Sequence, residues 1–105
     1  MDLKNRISFW QVTMLDTNDS LGYVDIVWIN SEILIVSSVS RKDGDPVIKL
    51  QKIIVENSRG VLKGTFDIEV DSVSGFPSLA SMQDNIYLAF YSPQSQRINI
   101  AKINW

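Results

Sequence analysis

The feature that most constrains the fold is an internal repeat of about fifty residues. Shifting the chain by 53 residues pairs Gly22 with Gly75, Tyr23 with Phe76, Ile26 with Leu79, Ile33 with Ile86, and Ile35 with Leu88. After RKDGDP at 41–46, where the first copy has three extra residues, the offset is 50 and pairs Ile48 with Ile98 and Leu50 with Ile100. A repeat of this length indicates two copies of one supersecondary unit that bury their apolar faces against each other.

Each copy consists of short β-rich runs separated by polar turn clusters, with no sustained 3.6-residue period. The predicted strands are 6–15, 23–29, 32–39, 46–55, 61–70, 77–82, 85–92 and 97–104. Clusters such as RKDGD and SPQSQ separate them. Short strands at this spacing predict an all-β sandwich, barrel or propeller.

The two copies of the repeat do not contain the same number of strands in sequence order. The first copy continues past Val55 as ENSRGVLKGTFDIEVD, whereas the second ends at Trp105. Residues 1–16 align without a gap to 56–71, so the chain starts with the fourth strand of a unit. This is the offset by which propellers close their ring. We therefore expect residues 1–105 to form one two-bladed unit.

The C-terminal copy, GFPSLASMQDNIYLAFYSPQSQRINIAKINW at 75–105, resembles a blade of the sialidase-like and lectin-like β-propeller families. The matching positions are Gly75, Pro77, Ser78, Ala80, Tyr91, Ala101 and Lys102. In the first copy, Val24 and Asp25 replace the Pro-Ser pair. The resemblance implies four-stranded antiparallel blades around a central axis. The predicted fold class is all-β, with two four-stranded antiparallel propeller blades per chain.

The predicted blades assign the chain as follows. Residues 22–71 form the first blade, 75–105 supply three strands of the second, and strand 6–15 completes a blade of a neighbouring copy. Two blades cannot close a ring, because propellers have about four to eight. We therefore expect a homo-oligomer, with six blades from a homotrimer preferred over eight from a tetramer. Small two-bladed lectins that trimerise are similar to this arrangement, and a fragment of a longer chain is the alternative.

The composition excludes several functional classes. The chain has no cysteine and no histidine, which rules out thiolate metal sites and a Ser-His-Asp triad within it. With a net charge of −2 and no concentrated basic segment, nucleic acid is not an expected partner. No apolar run approaches the roughly 20 residues that span a bilayer, so no membrane partner is expected. We predict no metal and no other cofactor, and the compartment is left open.

The candidate ligand site follows from blade topology. In a propeller, the connection that leads into a blade lies at the same end of the sheet as the loop between the second and third strands of that blade. The candidate residues are Tyr91, Arg97, Tyr23, Phe76, Arg41, Asp43 and Trp28. Sugars bind through aromatic surfaces for their C–H patches and planar polar groups for their hydroxyls. Tyr91 with Arg97, flanking SPQSQ, is the preferred pair.

Each candidate has a structural alternative. Tyr23 and Phe76 are equivalent after their glycines and suit packing between blades. Arg41 and Asp43 suit a solvated turn, and Trp28 suits the core. The predicted function is a carbohydrate-binding, lectin-like propeller without catalytic residues, because the aspartate-box turn of the sialidase-like families is not present. The alternatives are a non-catalytic interaction or scaffold ring, a self-assembling propeller fragment, and a fragment of a glycosidase-like enzyme.

Overall fold

The computed structural model describes residues 20–57 and 59–105. Of these, 78% lie in strands and none in a helix. The strands are β1 (Ser20–Trp28), β2 (Ile33–Lys42), β3 (Asp45–Glu56), β4 (Arg59–Glu69), β5 (Ser74–Met82), β6 (Asn85–Ser92) and β7 (Arg97–Ile103). They confirm the all-β prediction and all predicted strands but 6–15, which lies outside the described residues. The described residues include no helix long and apolar enough to cross a membrane.

The strands form two antiparallel sheets in chain order, β1-β2-β3-β4 and β5-β6-β7. Two-residue turns set the register of two hairpins. Lys42 pairs with Asp45 around Asp43 and Gly44, whose φ values are +53° and +84°. Gln83 and Asp84 form the same kind of turn between β5 and β6, with φ values of +53° and +65°. Positive φ at both positions gives a turn whose twist matches that of the strands.

Strands β1 and β5 each begin three residues earlier than predicted, at Ser20 and Ser74. The reason is that Gly22 and Gly75 lie within the strands and not in turns. Their φ values are +84° and +74°, and the register shifts beside each of them. Glycine in a strand commonly marks such a bulge, which bends the strand without ending it.

The structure corrects the sequence alignment in the second strand of the repeat. Trp28 pairs with Leu34, and its counterpart Ser81 pairs with Ile86. Leu34, and not Ile33, is therefore equivalent to Ile86, because the first hairpin is one residue longer than the second. In the third strand, Leu34 pairs with Ile53 and Ile86 with Ile103, which confirms the offset of 50 there.

The core lies between the two sheets. Its buried members are Ile35, Ile48 and Leu50 from the first sheet and Ile86 and Leu88 from the second. In each strand the remaining residues alternate to the opposite face, so each sheet contributes one face to this core. Burying each of these side chains stabilises the fold by about 1.5–3 kcal/mol.

Strands β1 and β5 lie side by side and join the two sheets. The amide of Leu79 donates to Asp25 Oδ2 at 2.7 Å, and Ser81 Oγ donates to the Trp28 carbonyl at 2.7 Å. These partners are 54 and 53 residues apart, close to the offset of the repeat. Corresponding segments of the two copies therefore run in the same direction next to each other.

The chain end fastens the second sheet to the outer strand of the first. A Cβ atom added at Gly64 on β4 would lie 3.4 Å from the ring of Trp105. The ring centroid of Phe66 is 6.3 Å from that of Trp105. Because Gly64 has no side chain, the indole lies directly against the β4 backbone.

The Asp25 carboxylate links the two sheets where β1 meets β5. It accepts from the Leu79 amide and, through Oδ1, from the Ile26 amide at 2.9 Å. Asp25→Ala leaves the Leu79 amide without its partner and should lower the free energy of unfolding by about 1–3 kcal/mol. Asp25→Asn keeps one side-chain oxygen as an acceptor and should lower the free energy of unfolding by a smaller amount.

Urea denaturation of these variants at one protein concentration measures the effect. Asp45→Ala, which removes an exposed acidic side chain at the β2–β3 turn, serves as the control and should change stability by less than about 0.5 kcal/mol. Equal losses for the Asp25 and Asp45 variants would show that the Asp25 contact does not hold the sheets together.

Candidate functional site

The candidate site lies at one end of the two sheets, on a surface made by the turn 42–45, the connection 70–73 and the turn 93–96, here called the loop surface. Two neighbouring depressions open on it. One, of about 410 Å³, lies between the 42–47 segment, residues 69–71 and Gln94. The other, of about 400 Å³, lies between Tyr23, Arg41 and the connection 72–75. Both are shallow, and their charged lining residues belong to the first sheet and to the connection that follows it.

The connection between the sheets is fixed by hydrogen bonds from the second sheet. Ser92 Oγ donates to the Ser72 carbonyl at 3.0 Å, and the Gln94 amide donates to Ser72 Oγ at 3.0 Å. Asn99 Nδ2 donates to Ser92 Oγ, also at 3.0 Å. Ser92 is fully buried. Ser72 therefore holds the floor of the loop surface to the β6–β7 turn.

An aromatic pair borders the second depression. The rings of Tyr23 and Phe76 lie 5.0 Å apart at 79°, an edge-to-face arrangement. Tyr23 has a φ of +53°, a backbone conformation that is unusual for an aromatic residue and is produced here beside the β1 bulge. Phe76 keeps 68% of its surface exposed. The pair thus packs across the sheet junction and still presents an apolar surface to solvent.

Charged groups of both signs surround the depressions. Arg41 and Asp43 are exposed beside the β2–β3 turn. A third depression, of about 200 Å³, adjoins them and contains Lys49 and Asp67. The Lys49 Nζ to Asp67 Oδ1 distance is 3.4 Å, and both side chains are mostly buried. Lys49 is therefore engaged with Asp67, whereas Arg41 and Asp43 are directed toward solvent.

The structure brings four of the seven predicted ligand residues to the loop surface. These are Tyr23, Phe76, Arg41 and Asp43. Trp28 lies at the other end of β1, opposite Leu34, and is exposed. It is remote from the loop surface because a nine-residue strand separates the two ends.

The preferred pair, Tyr91 with Arg97, does not share a sheet face. Arg97 pairs with Ser92, and Tyr91 pairs with Ile98. Because consecutive residues of a strand project to opposite faces, Tyr91 and Arg97 project to opposite faces of the second sheet. Arg97 lines a separate depression with Glu69 and Asp71, beside the end of β4.

Ser72 is the residue that the sequence-based prediction missed. Its place in the polar run DSVSG indicates a turn, and a serine in a turn commonly bonds to its own backbone. The long-range bonds to Ser92 and Gln94 depend on how the two sheets meet, which local sequence does not encode.

The described residues contain no group of three carboxylate, histidine or cysteine side chains placed to hold a metal ion. Comparison with known proteins finds no matching family model, no matching curated protein and no matching solved structure. The geometry of the loop surface is therefore the basis for its proposed role.

The edge-to-face contact between Tyr23 and Phe76 should be measurable by a double-mutant cycle. Tyr23→Leu and Phe76→Leu each keep apolar bulk but remove one ring. The two substitutions together should destabilise the protein by about 0.5–1.5 kcal/mol less than the sum of the single effects, because the aromatic contact is lost in each. Denaturant unfolding of the four proteins gives the coupling, and strictly additive effects would mean that the rings do not interact.

Proposed function

We propose that the chain is a carbohydrate-binding, lectin-like β-propeller subunit without catalytic activity, and that it binds sugar at the loop surface. The observation that carries the proposal is the exposed Tyr23–Phe76 pair beside Arg41. An aromatic surface next to a guanidinium group matches the two sides of a sugar ring, which carries C–H patches and paired hydroxyls.

The shape of the loop surface suits weak binding at each of several identical sites. The depressions are open and shallow, so each contacts few sugar atoms. The Ser72 hydrogen bonds hold their floor in place, so little ordering is required when a ligand binds. Affinity would then come from several such surfaces presented together on one assembly.

Two observations support propeller blades as the larger architecture. The first is that β1 and β5 lie side by side at the offset of the repeat, as the inner strands of adjacent blades do. The second is that the described part of the second sheet has three strands where the first has four. We propose that residues 6–15 of a neighbouring copy pair with β7, and that three copies close a six-bladed ring.

A non-catalytic scaffold ring is the second candidate function. It is favoured by the exposed apolar side chains of β7, where Ile98 and Ile100 are 76% and 72% exposed. Such side chains serve assembly whether or not a sugar binds.

Sugar binding can be tested with a glycan array probed with the labelled assembly, followed by titration of any bound glycan. Arg41→Ala should weaken binding about tenfold or more, equivalent to about 1.4 kcal/mol, because a charged hydrogen-bond donor is lost. Arg59→Ala is the matched control, since Arg59 is an exposed arginine on the β3–β4 turn at the opposite end of the sheet. It should bind as the unmodified protein does.

An array without hits at concentrations that favour avidity would overturn the carbohydrate proposal and leave the scaffold. Equal weakening by Arg41→Ala and Arg59→Ala would place binding away from the loop surface.

The ring proposal predicts a mass of about three times 11.9 kDa in analytical ultracentrifugation. A variant that lacks residues 1–15 should lose the trimer, because β7 of each neighbour would have no added strand. A well-behaved monomer of the full chain, or an unchanged trimer of the shortened variant, would contradict strand exchange.

A further inference from the structure

We infer that residues 1–19 cover the outer face of the first sheet in the free subunit, and that they leave this face when the subunit assembles. The outer face is the side of the first sheet that points away from the core between the sheets. Its central side chains are Leu34, Val47, Gln51 and Ile53. The position of the segment in the free subunit is independent of the proposed ring, whereas its release rests on that proposal.

The side chains of the outer face project away from the second sheet. Leu34 precedes the core residue Ile35, and Val47 precedes the core residue Ile48. Ile53 pairs with Leu34 across β2 and β3. Because consecutive residues of a strand project to opposite faces, these apolar side chains point away from the core. The second sheet therefore does not cover them.

The outer face is nevertheless buried. Leu34, Val47 and Ile53 are 7%, 2% and 2% exposed. On the outer side of the second sheet, by contrast, Tyr91 of the central strand β6 is 43% exposed and Ile98 of β7 is 76% exposed. Neighbouring strands alone thus leave side chains accessible in this protein, so a second layer lies over the outer face of the first sheet.

The described residues do not supply this layer. The second sheet lies on the core side, and Trp105 is there as well, beside Ile35 and Ile86. The other described residues outside the strands are turns and connections at the strand ends. Outside the described residues are only 1–19 and position 58, and one residue of the β3–β4 turn cannot cover two strands. The layer therefore consists of residues 1–19.

The sequence of the segment suits an apolar sheet face. In RISFWQVTML at 6–15, the apolar residues Trp10, Val12 and Met14 alternate with polar residues. Such alternation gives a strand one apolar side and one polar side. The predicted strand has ten residues, and β2 and β3 have 10 and 12, so the lengths match.

The start of the described chain permits this placement. β1 begins at Ser20, which pairs with Ser40 near the loop-surface end of β2. Residues 16–19 span at most about 14 Å when extended, and a second layer lies about 10 Å above a sheet. The link is therefore long enough to bring residues 6–15 over β2 and β3 of the same chain.

The amide of Gln51 indicates the chemistry of the cover. Gln51 follows the core residue Leu50, so its side chain belongs to the outer face, and it is 5% exposed. Its Nε2 has no hydrogen-bond partner among the described residues. A buried donor without an acceptor is costly. A polypeptide segment offers a carbonyl at every residue, whereas an aliphatic ligand offers no acceptor.

The cover competes with strand exchange. Residues 6–15 cannot lie over their own first sheet and pair with β7 of a neighbouring copy at the same time. The segment therefore has to leave the outer face before it completes a neighbour's blade, which exposes Leu34, Val47 and Ile53. This release should limit the rate of assembly.

Photo-cross-linking of the full chain tests the position of the segment. Thr65 is exposed on β4 and pairs with Gln51, so a probe there borders the outer face. With p-benzoylphenylalanine at position 65, irradiation of the dilute monomer should join β4 to residues 6–15, as identified by mass spectrometry of the digest. An equal mixture of ¹⁴N-labelled and ¹⁵N-labelled chains should give no mixed-isotope cross-links.

Two further probe positions serve as a duplicate and a control. Ile26 is exposed on β1 and pairs with Val36 of the outer face, so it should give the same cross-links as position 65. A probe at Tyr91, on the outer side of the second sheet, should give none to residues 1–19 of the monomer. Circular dichroism checks that each labelled chain has the native β signal.

Cross-links from folded chains to residues 20–105 only, mixed-isotope cross-links to residues 1–19, or no cross-links would each overturn the cover. Release is tested by concentrating the monomer and following trimer formation by light scattering. The rate should become independent of protein concentration at high concentration, because departure of the segment is a step within one chain. A rate that rises with concentration throughout would overturn the release step. Absence of any trimer would overturn both the ring and the release step, while the cross-links still decide the cover.

Discussion

The other features depend on one interaction, the packing of the two sheets against each other. This packing brings Leu50 of the first sheet and Leu88 of the second into one core cluster. Neither sheet has a second layer of its own among the described residues, so each relies on the other to cover its apolar face. The loop surface exists because this packing brings the β6–β7 turn to the connection 70–73, which the pairing of β3 with β4 holds beside the turn 42–45. Asp25 and Ser81 supply the side-chain hydrogen bonds where β1 meets β5.

The sheet contact joins unlike faces, because the core residues Ile48 and Leu50 of the first sheet correspond to the exposed Ile98 and Ile100 of the second. A contact between like faces would be complete within a pair. A contact between unlike faces leaves one face of each kind over, whatever the number of units in the row. The exposure of Ile98 and Ile100 and that of Ile26 are therefore two results of one arrangement.

Most of the fold was predictable from the sequence, because turn residues and short apolar runs are local signals. The exact strand starts were not, since Gly22 and Gly75 produce bulges and not turns. The alignment slipped by one residue in β2, where the first hairpin is longer. The site was only partly predictable. Tyr91 and Arg97 are close in sequence, but the register that places them on opposite faces depends on which residue pairs across the β6–β7 turn.

An exposed aromatic residue in a repeat protein has two competing explanations, ligand contact and contact with another copy. The two explanations can be distinguished by the exposure of the equivalent residue in the other copy of the repeat. Val39, the counterpart of Tyr91, is 2% exposed, whereas Tyr91 is 43% exposed, so the two copies of this position have different surroundings. Tyr23 and Phe76 are themselves counterparts, and they touch each other across the junction and remain exposed. The pair therefore lies at the edge of the contact between the two sheets, where its aromatic surface is accessible to a ligand.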